Sequence, residues 1–136
     1  MNRSDQRSSF VRTFPAEPGS LAKIRAFLRR RAAEAGLAER TTEDLVLAVS
    51  EACANAVVHS GSPDVEVSWA LRDDRVEIEV RDRGRFRSRV RMASLEGPGG
   101  FGIPLMAALA EELVIEEGTQ RRPGTLVRLV KRRDPS

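Results

Sequence analysis

Glu51, Asn55 and His59 are the residues of this chain whose types and spacing could do chemistry together. They sit in the stretch Glu43 to His59, EDLVLAVSEACANAVVH. With Leu47 they recur every four residues, so on a helix they line one face. A carboxylate one turn ahead of a neutral oxygen ligand suits phosphate chemistry. The acid can accept a proton, and the amide oxygen can help hold Mg²⁺. The small residues Ser50, Ala52, Cys53 and Ala54 leave room for something bulky beside them. The same residues would also make the solvated stripe of an ordinary amphipathic helix, and taken alone the helix favours that plainer reading. Its neighbouring face carries Leu45, Ala48, Val49, Ala52 and Ala56 at helical steps, a face for a core.

Three further pieces lie downstream. Asp82-Arg83-Gly84 directly follows a strand-like run. An acid there can accept a hydrogen bond from an exocyclic amine such as adenine's, and a glycine lets a flat ring approach the backbone. Alone, this is a common turn. Gly97 to Gly102 (GPGGFG) opens a helical pattern and would present backbone N–H groups to an anion, or act as a plain linker. Gly124-Thr125 opens the last strand and means little alone. Arg81, Arg83, Arg85, Arg87, Arg89 and Arg91 alternate through the first of these pieces and beyond. They could add charge for a phosphate, meet an acidic partner or nucleic acid, or stay solvated. Nucleic acid is the weakest of these, because Phe86 is the one aromatic beside them.

The elements that must position these residues follow from periodicity. Ser9 to Phe14 alternates as a strand. A helix from Gly19 or Ser20 to about Glu34 buries Leu21, Ile24, Phe27, Leu28 and Ala32, turns Arg25, Arg29 and Arg30 to water, and ends at Gly36. Thr41-Thr42-Glu43-Asp44 supplies capping residues for the second helix, which ends near Ser60-Gly61. Asp64 to Leu71 and Arg75 to Arg81 form a hairpin around Asp73-Asp74. Asp82 to Gly100 reads as a loop, Phe101 to Glu112 as a helix, and Leu113 to Glu117 with Gly124 to Lys131 as a second antiparallel pair. The fold class is α/β (α+β): a two-layer sandwich, a mixed but mostly antiparallel sheet covered on one face by helices.

Composition sets bounds. A length of 136 residues fits one domain with one core, here 9–132 between a flexible tail at 1–8 and a short tail at 133–136. No apolar run reaches membrane-spanning length and the N-terminus lacks a signal peptide's apolar segment, so a cytoplasmic protein is expected. The single cysteine, Cys53, excludes an internal disulfide and a cysteine-based zinc site. It reads as an inert buried thiol. A net charge of +3 is too modest to imply a nucleic-acid partner by itself.

In this order the pieces are far more specific than singly. E-x-x-x-N on a helix, D-x-G after a strand, G-x-G opening a helix and G-T opening a strand resemble the ATP-binding fold of the GHKL superfamily, the histidine-kinase-like ATPases. The likeness runs from about Phe10 to Lys131. It is nearer to RsbW-type anti-sigma factors, which are serine kinases of this fold, through S-E-A-x-x-N-A-x-x-H and GFGIPLMAAL. The arginine- and alanine-rich composition suggests a high-GC actinobacterial member.

The resemblance implies ATP and Mg²⁺ as cofactors and a role for each matching residue. Asn55 would coordinate Mg²⁺ bridging the phosphates, and Glu51 would take the proton from an attacking serine hydroxyl or from water. Asp82 would hold the adenine amine, with Gly84 beneath the ring and Thr125 helping through a hydroxyl or a water. Gly100 and Gly102 would cradle phosphates. His59 matches a common family residue without an assigned chemistry. Leu47, Ala48 and Ile103 are expected in the core or the pocket wall. Two departures stand out: Arg85-Phe86 where a second glycine often follows D-x-G, and Pro98-Gly99 where a polar or basic side chain would grip the γ-phosphate. They bear on catalytic rate more than on nucleotide binding.

The implied function is an ATP-dependent serine/threonine protein kinase and anti-sigma factor. It would phosphorylate an anti-anti-sigma (STAS-type) protein and sequester a sigma factor. The alternative is an ATP-binding regulatory module that holds a partner without kinase activity. A homodimer is expected, with Phe10, Phe14 and Leu21 at an end the nucleotide does not need. No membrane association is expected, and direct nucleic-acid binding is disfavoured.

Overall fold

The computed structural model describes residues 8–59, 61–84, 102–119, 121 and 123–133. Residues 1–7 of the expected tail at 1–8, the arginines Arg85, Arg87, Arg89 and Arg91, Gly100, and the side chains of His59 and Ile103 lie outside what is described, while Ser8 already belongs to a strand.

Alternation builds the sheet. Strand β2 (Asp64–Leu71) buries Val65, Val67, Trp69 and Leu71, and β3 (Arg75–Asp82) buries Val76, Ile78, Val80 and Asp82. They join β1 (Ser8–Pro15), β4 (Glu112–Glu117) and β5 (Thr125–Arg132) in the order β1-β2-β3-β5-β4. Every described ladder is antiparallel, which narrows the expected mixed sheet. No described helix lies over the face bearing Glu66, Glu77, Arg81 and Arg128, and Arg72, Arg75 and Arg128 surround Glu77 there. On the other face each fully buried Val, Ile or Leu contributes about 1.5–3 kcal/mol. Trp69, 1 % exposed, is the largest of these side chains, and truncating it to alanine would cost about 3–5 kcal/mol.

Three described helices cover that face. α1 (Ser20–Ala35) lies on β1 and β2, α2 (Glu39–His59) spans β2, β3 and β5, and α3 (Gly102–Leu109) packs against α2 and β4. α1 buries Ile24, Phe27, Leu28 and Ala32, as its spacing predicts, and Phe27 meets Phe14 of β1 edge-on at 6.0 Å. Gly36 ends it in the left-handed conformation (φ 73), where a side chain would be strained. Its N–H returns to Ala32 and Ala33, while Arg133 donates to the carbonyl of Ala35 at 2.9 Å.

Several expectations shift. α2 begins at Glu39, so Thr41 and Thr42 lie inside its first turns and do not cap it. Thr41 is fully buried, and Thr42 spends its hydroxyl on the carbonyl of Ala38 at 3.0 Å. Glu39 supplies the acid at the positive helix end instead. Ala48 is core, and Leu47, expected in the core or the pocket wall, is 46 % exposed on the line of Glu51 and Asn55, which excludes the core for it. α3 stops at Leu109, short of the expected Glu112, because the N–H of Glu111 already bonds the carbonyl of Val130 at 2.8 Å. Phe14, placed near a dimer surface from sequence, is only 2 % exposed and belongs to the core.

Candidate active site

The ends of three strands set the site. Asp82 closes β3 and pairs with Val65 near the start of β2 and with Thr125 at the start of β5. Asp82 and Thr125 are both buried. The carboxylate of Asp82 accepts the N–H of Gly84 at 2.8 Å and also the N–H of Thr125. Burial pushes the Asp82 carboxyl above the ordinary aspartate range, and the two backbone N–H groups pull partly against it. A carboxylate oxygen has several lone-pair directions, so two backbone bonds leave acceptor capacity for a ligand's amine.

Gly124 explains the pair Gly-Thr, which carried little meaning in the sequence. Its φ is 139, and a Cβ there would collide with the carbonyl oxygen of Asp82 and press on Cα of Arg83. Only glycine lets β5 begin this close to the acid. The signal in the sequence was a glycine opening a strand downstream of D-x-G. A cavity of about 210 Å³ opens at this junction, bounded by Asp82, Arg83, Glu117, Gly124 and Thr125.

The second half of the site comes from α2. A short connection links the end of α2 to the start of β2, which is the end of the sheet where Asp82 and Thr125 lie. Asn55 is one turn before His59, and Glu51 one turn further back; both are half-buried. Cys53 between them points inward and is fully buried, its thiol pushed up to about 12. It is not a nucleophile at neutral pH. Glu51 and Asn55 do not line the 210 Å³ cavity, so the described residues form two patches at one end of the fold: Asp82, Gly84 and Thr125 in direct contact, and Glu51 with Asn55 on the helix above the sheet. Gly102 opens α3, as the G-x-G reading requires.

Arg81 and Arg83 border the cavity and each faces an acid across an exposed contact. Arg83 pairs with Asp64 at 2.8 Å, and Arg81 lies 3.9 Å from Glu66. Among the described residues no group of three or more His, Cys, Asp or Glu could cage a metal. A Mg²⁺ held by Asn55 fits that donor set, since this ion binds through one or two protein oxygens and takes the rest from phosphates and water.

Residues 14–131 match the family described as histidine kinase-like ATPase domain. The chain belongs to that family. Serine-protein kinase RsbW of Bacillus licheniformis is 35 % identical over 120 residues, 75 % of this chain and 74 % of that protein. The protein of the same name from Bacillus subtilis strain 168 is 32 % identical over 133 residues, 86 % of this chain and 81 % of that protein. A crystal structure of the RsbU and RsbW domains of a Mycobacterium tuberculosis protein superposes with a TM-score of 0.73 at 29 % identity, covering 92 % of this chain and 32 % of that longer one. The histidine-kinase-like fold and the RsbW likeness expected from the motifs both hold. A domain of this family uses ATP. No described helix is long and apolar enough to cross a membrane.

Proposed function

We propose that this chain is an ATP-dependent serine/threonine protein kinase of the RsbW type. In this reading it phosphorylates a small anti-anti-sigma protein and sequesters a sigma factor. The observation that carries the reading is the buried Asp82 carboxylate, held by the N–H groups of Gly84 and Thr125 at the sheet end that α2 reaches with Glu51 and Asn55.

Asp82 accepts the adenine amine, and Gly84, without a side chain, lies under the ring. Thr125 adds its hydroxyl, directly or through a water. Gly100 and Gly102 hold phosphate oxygens with backbone N–H groups, Gly102 from the start of α3. Asn55 holds Mg²⁺, which when bound neutralises phosphate charge. Glu51 orients the partner's serine hydroxyl and takes its proton as that oxygen forms a bond to the γ-phosphorus. The bond to the bridging oxygen breaks, and ADP leaves with its electron pair. The half-burial of Glu51 supports this role, because a base must stay reachable by a protein substrate.

The chain acts in the cytoplasm as a homodimer. The edge strand β1 supports that pairing: its outer edge has no partner strand among the described residues, and Phe10 and Val11 stand 37 % and 61 % exposed on its two faces. The test of the kinase reading is transfer of labelled γ-phosphate to an anti-anti-sigma protein recovered on the immobilised chain with Mg-ATP. No transfer to any recovered partner would leave the ATP-binding module without kinase activity as the better reading.

A further inference from the structure

Arg83 is the first residue of β3's continuation that neither neighbouring strand can hold. The β2 ladder stops at Val65 opposite Asp82, and the β5 ladder stops at Thr125 opposite the same residue. Yet Arg83 lies between Asp82 and Gly84, the two residues assigned to the base. Its N–H goes to the hydroxyl of Ser62, at 3.1 Å, in the connection between α2 and β2. Ser62 is 7 % exposed. Its hydroxyl donates to the carbonyl of Asp64 at 2.7 Å and accepts the N–H of Asp64 at 3.4 Å. One hydroxyl has one donor and two acceptor directions, and all are used here. The Arg83 side chain then closes on the Asp64 carboxylate at 2.8 Å, exposed to water.

We propose that Ser62 is a positioning residue for adenine recognition: it clips the Asp82–Gly84 turn to the connection that follows α2. This rests on the nucleotide reading above and adds to it a residue that no motif supplied. The clip acts from the side of the turn opposite to Gly124. Gly124 presses against the carbonyl of Asp82 from β5, and Ser62 draws the N–H of Arg83 toward β2. Between them the peptide linking Asp82 to Arg83 is fixed at both ends, and with it the direction of the Asp82 carboxylate. Because Ser62 lies in the short connection between α2 and β2, the same hydroxyl ties the base-reading turn to the segment that leaves the helix carrying Glu51 and Asn55. The exposed Arg83–Asp64 pair adds little by itself, since water screens it; the buried hydroxyl is the part that cannot be replaced by solvent.

The test compares Ser62→Ala and Ser62→Thr with wild type in three measurements. These are ATP and GTP affinity by calorimetry, KM and kcat for phosphate transfer, and amide exchange at Arg83 and Gly84. Loss of one net hydrogen bond predicts ATP affinity about tenfold weaker in Ser62→Ala. GTP, which lacks the exocyclic amine in that position, should change by less than about twofold, so the ATP/GTP ratio falls. KM for ATP should rise while kcat at saturating ATP holds, the Arg83 amide should lose protection, and Ser62→Thr should restore most of each. Equal weakening for ATP and GTP, or unchanged ATP affinity with the Arg83 amide still protected, would overturn the clip and leave the nucleotide reading intact. Absence of ATP binding by wild type would remove both. Should Ser62→Ala unfold, recovery of wild-type stability by Ser62→Thr without recovery of the ATP/GTP ratio would also overturn it.

Discussion

Gly124 lies against the main-chain carbonyl of Asp82 with no room for a side chain between them. The contact sets how closely β5 approaches the strand that ends in the acid. Gly124→Ala must therefore move Asp82 or strain its own backbone at φ 139. We expect a loss of about 1–3 kcal/mol of stability, with ATP affinity reduced in the same variant. Urea denaturation and a nucleotide titration measure both, and wild-type values in both would show the approach to be unimportant.

Asp82→Asn separates function from stability. Burial raises the folded carboxyl above its unfolded value. The stability a raised acid contributes is fully present below the unfolded pKa and is lost as pH rises through the folded one. At neutral pH the buried charge is therefore a cost, and the oxygen of the neutral amide can still accept the N–H of Gly84. Thermal stability at pH 7 should hold or rise in the variant, while ATP binding weakens by about 1.5–3 kcal/mol. In wild type, ATP affinity should fall on acidification sooner than an ordinary aspartate would allow. A variant that melts well below wild type at pH 7 would contradict the burial argument.

Much of this was legible because the signals were periodic. The strand alternation of Val65, Val67 and Trp69 against Val76, Ile78 and Val80 fixed the β2–β3 hairpin, and Leu45, Ala48, Val49, Ala52 and Ala56 fixed the buried face of α2. What was not legible depends on contacts between segments distant in the chain. Thr41 looks like a cap by type, but α2 starts earlier and buries it. Leu47 was expected in the core or the pocket wall, and its exposure on the line of Glu51 and Asn55 excludes only the core. Gly124 and Ser62 gain meaning only when β3 ends beside both, across sequence separations that no local pattern reports.

Cys53 should report on unfolding and nothing else. Its thiol is fully buried and pushed up to about 12, so almost no thiolate exists at pH 7. Alkylation should follow the rate of global opening, and saturating Mg-ATP should slow it by stabilising the folded state. Rapid alkylation of the native protein, insensitive to nucleotide, would be inconsistent with this placement.

The homodimer should close over β1. Phe10 is partly exposed with the Arg31 guanidinium 4.0 Å from its ring centre, and Val11 is exposed on the next residue. Val11→Asp puts a charge into that surface without touching the core residue Phe14. Sedimentation at tens of micromolar should shift toward the 15.0 kDa monomer in the variant, with ATP affinity within about twofold of wild type. A wild type that is already monomeric would remove the dimer from the proposal.

Glu51 and Asn55 stand one turn apart on the same helix face, so base and metal holder can be cut separately. Asn55→Ala should lose the Mg²⁺-dependent part of ATP affinity, because a hard cation needs that oxygen. Glu51→Ala should bind ATP and the partner as wild type does but transfer phosphate about 10²–10⁴-fold more slowly, the usual contribution of a positioned base. Labelled transfer run beside a nucleotide titration distinguishes the two. If Glu51→Ala transfers at the wild-type rate, Glu51 is not the base, and ATP binding through Asp82 survives that result. If wild type binds Mg-ATP tightly and transfers nothing, the geometry serves a nucleotide-gated binder: ATP would bias which partner is held only through a difference in affinity between the loaded and empty states.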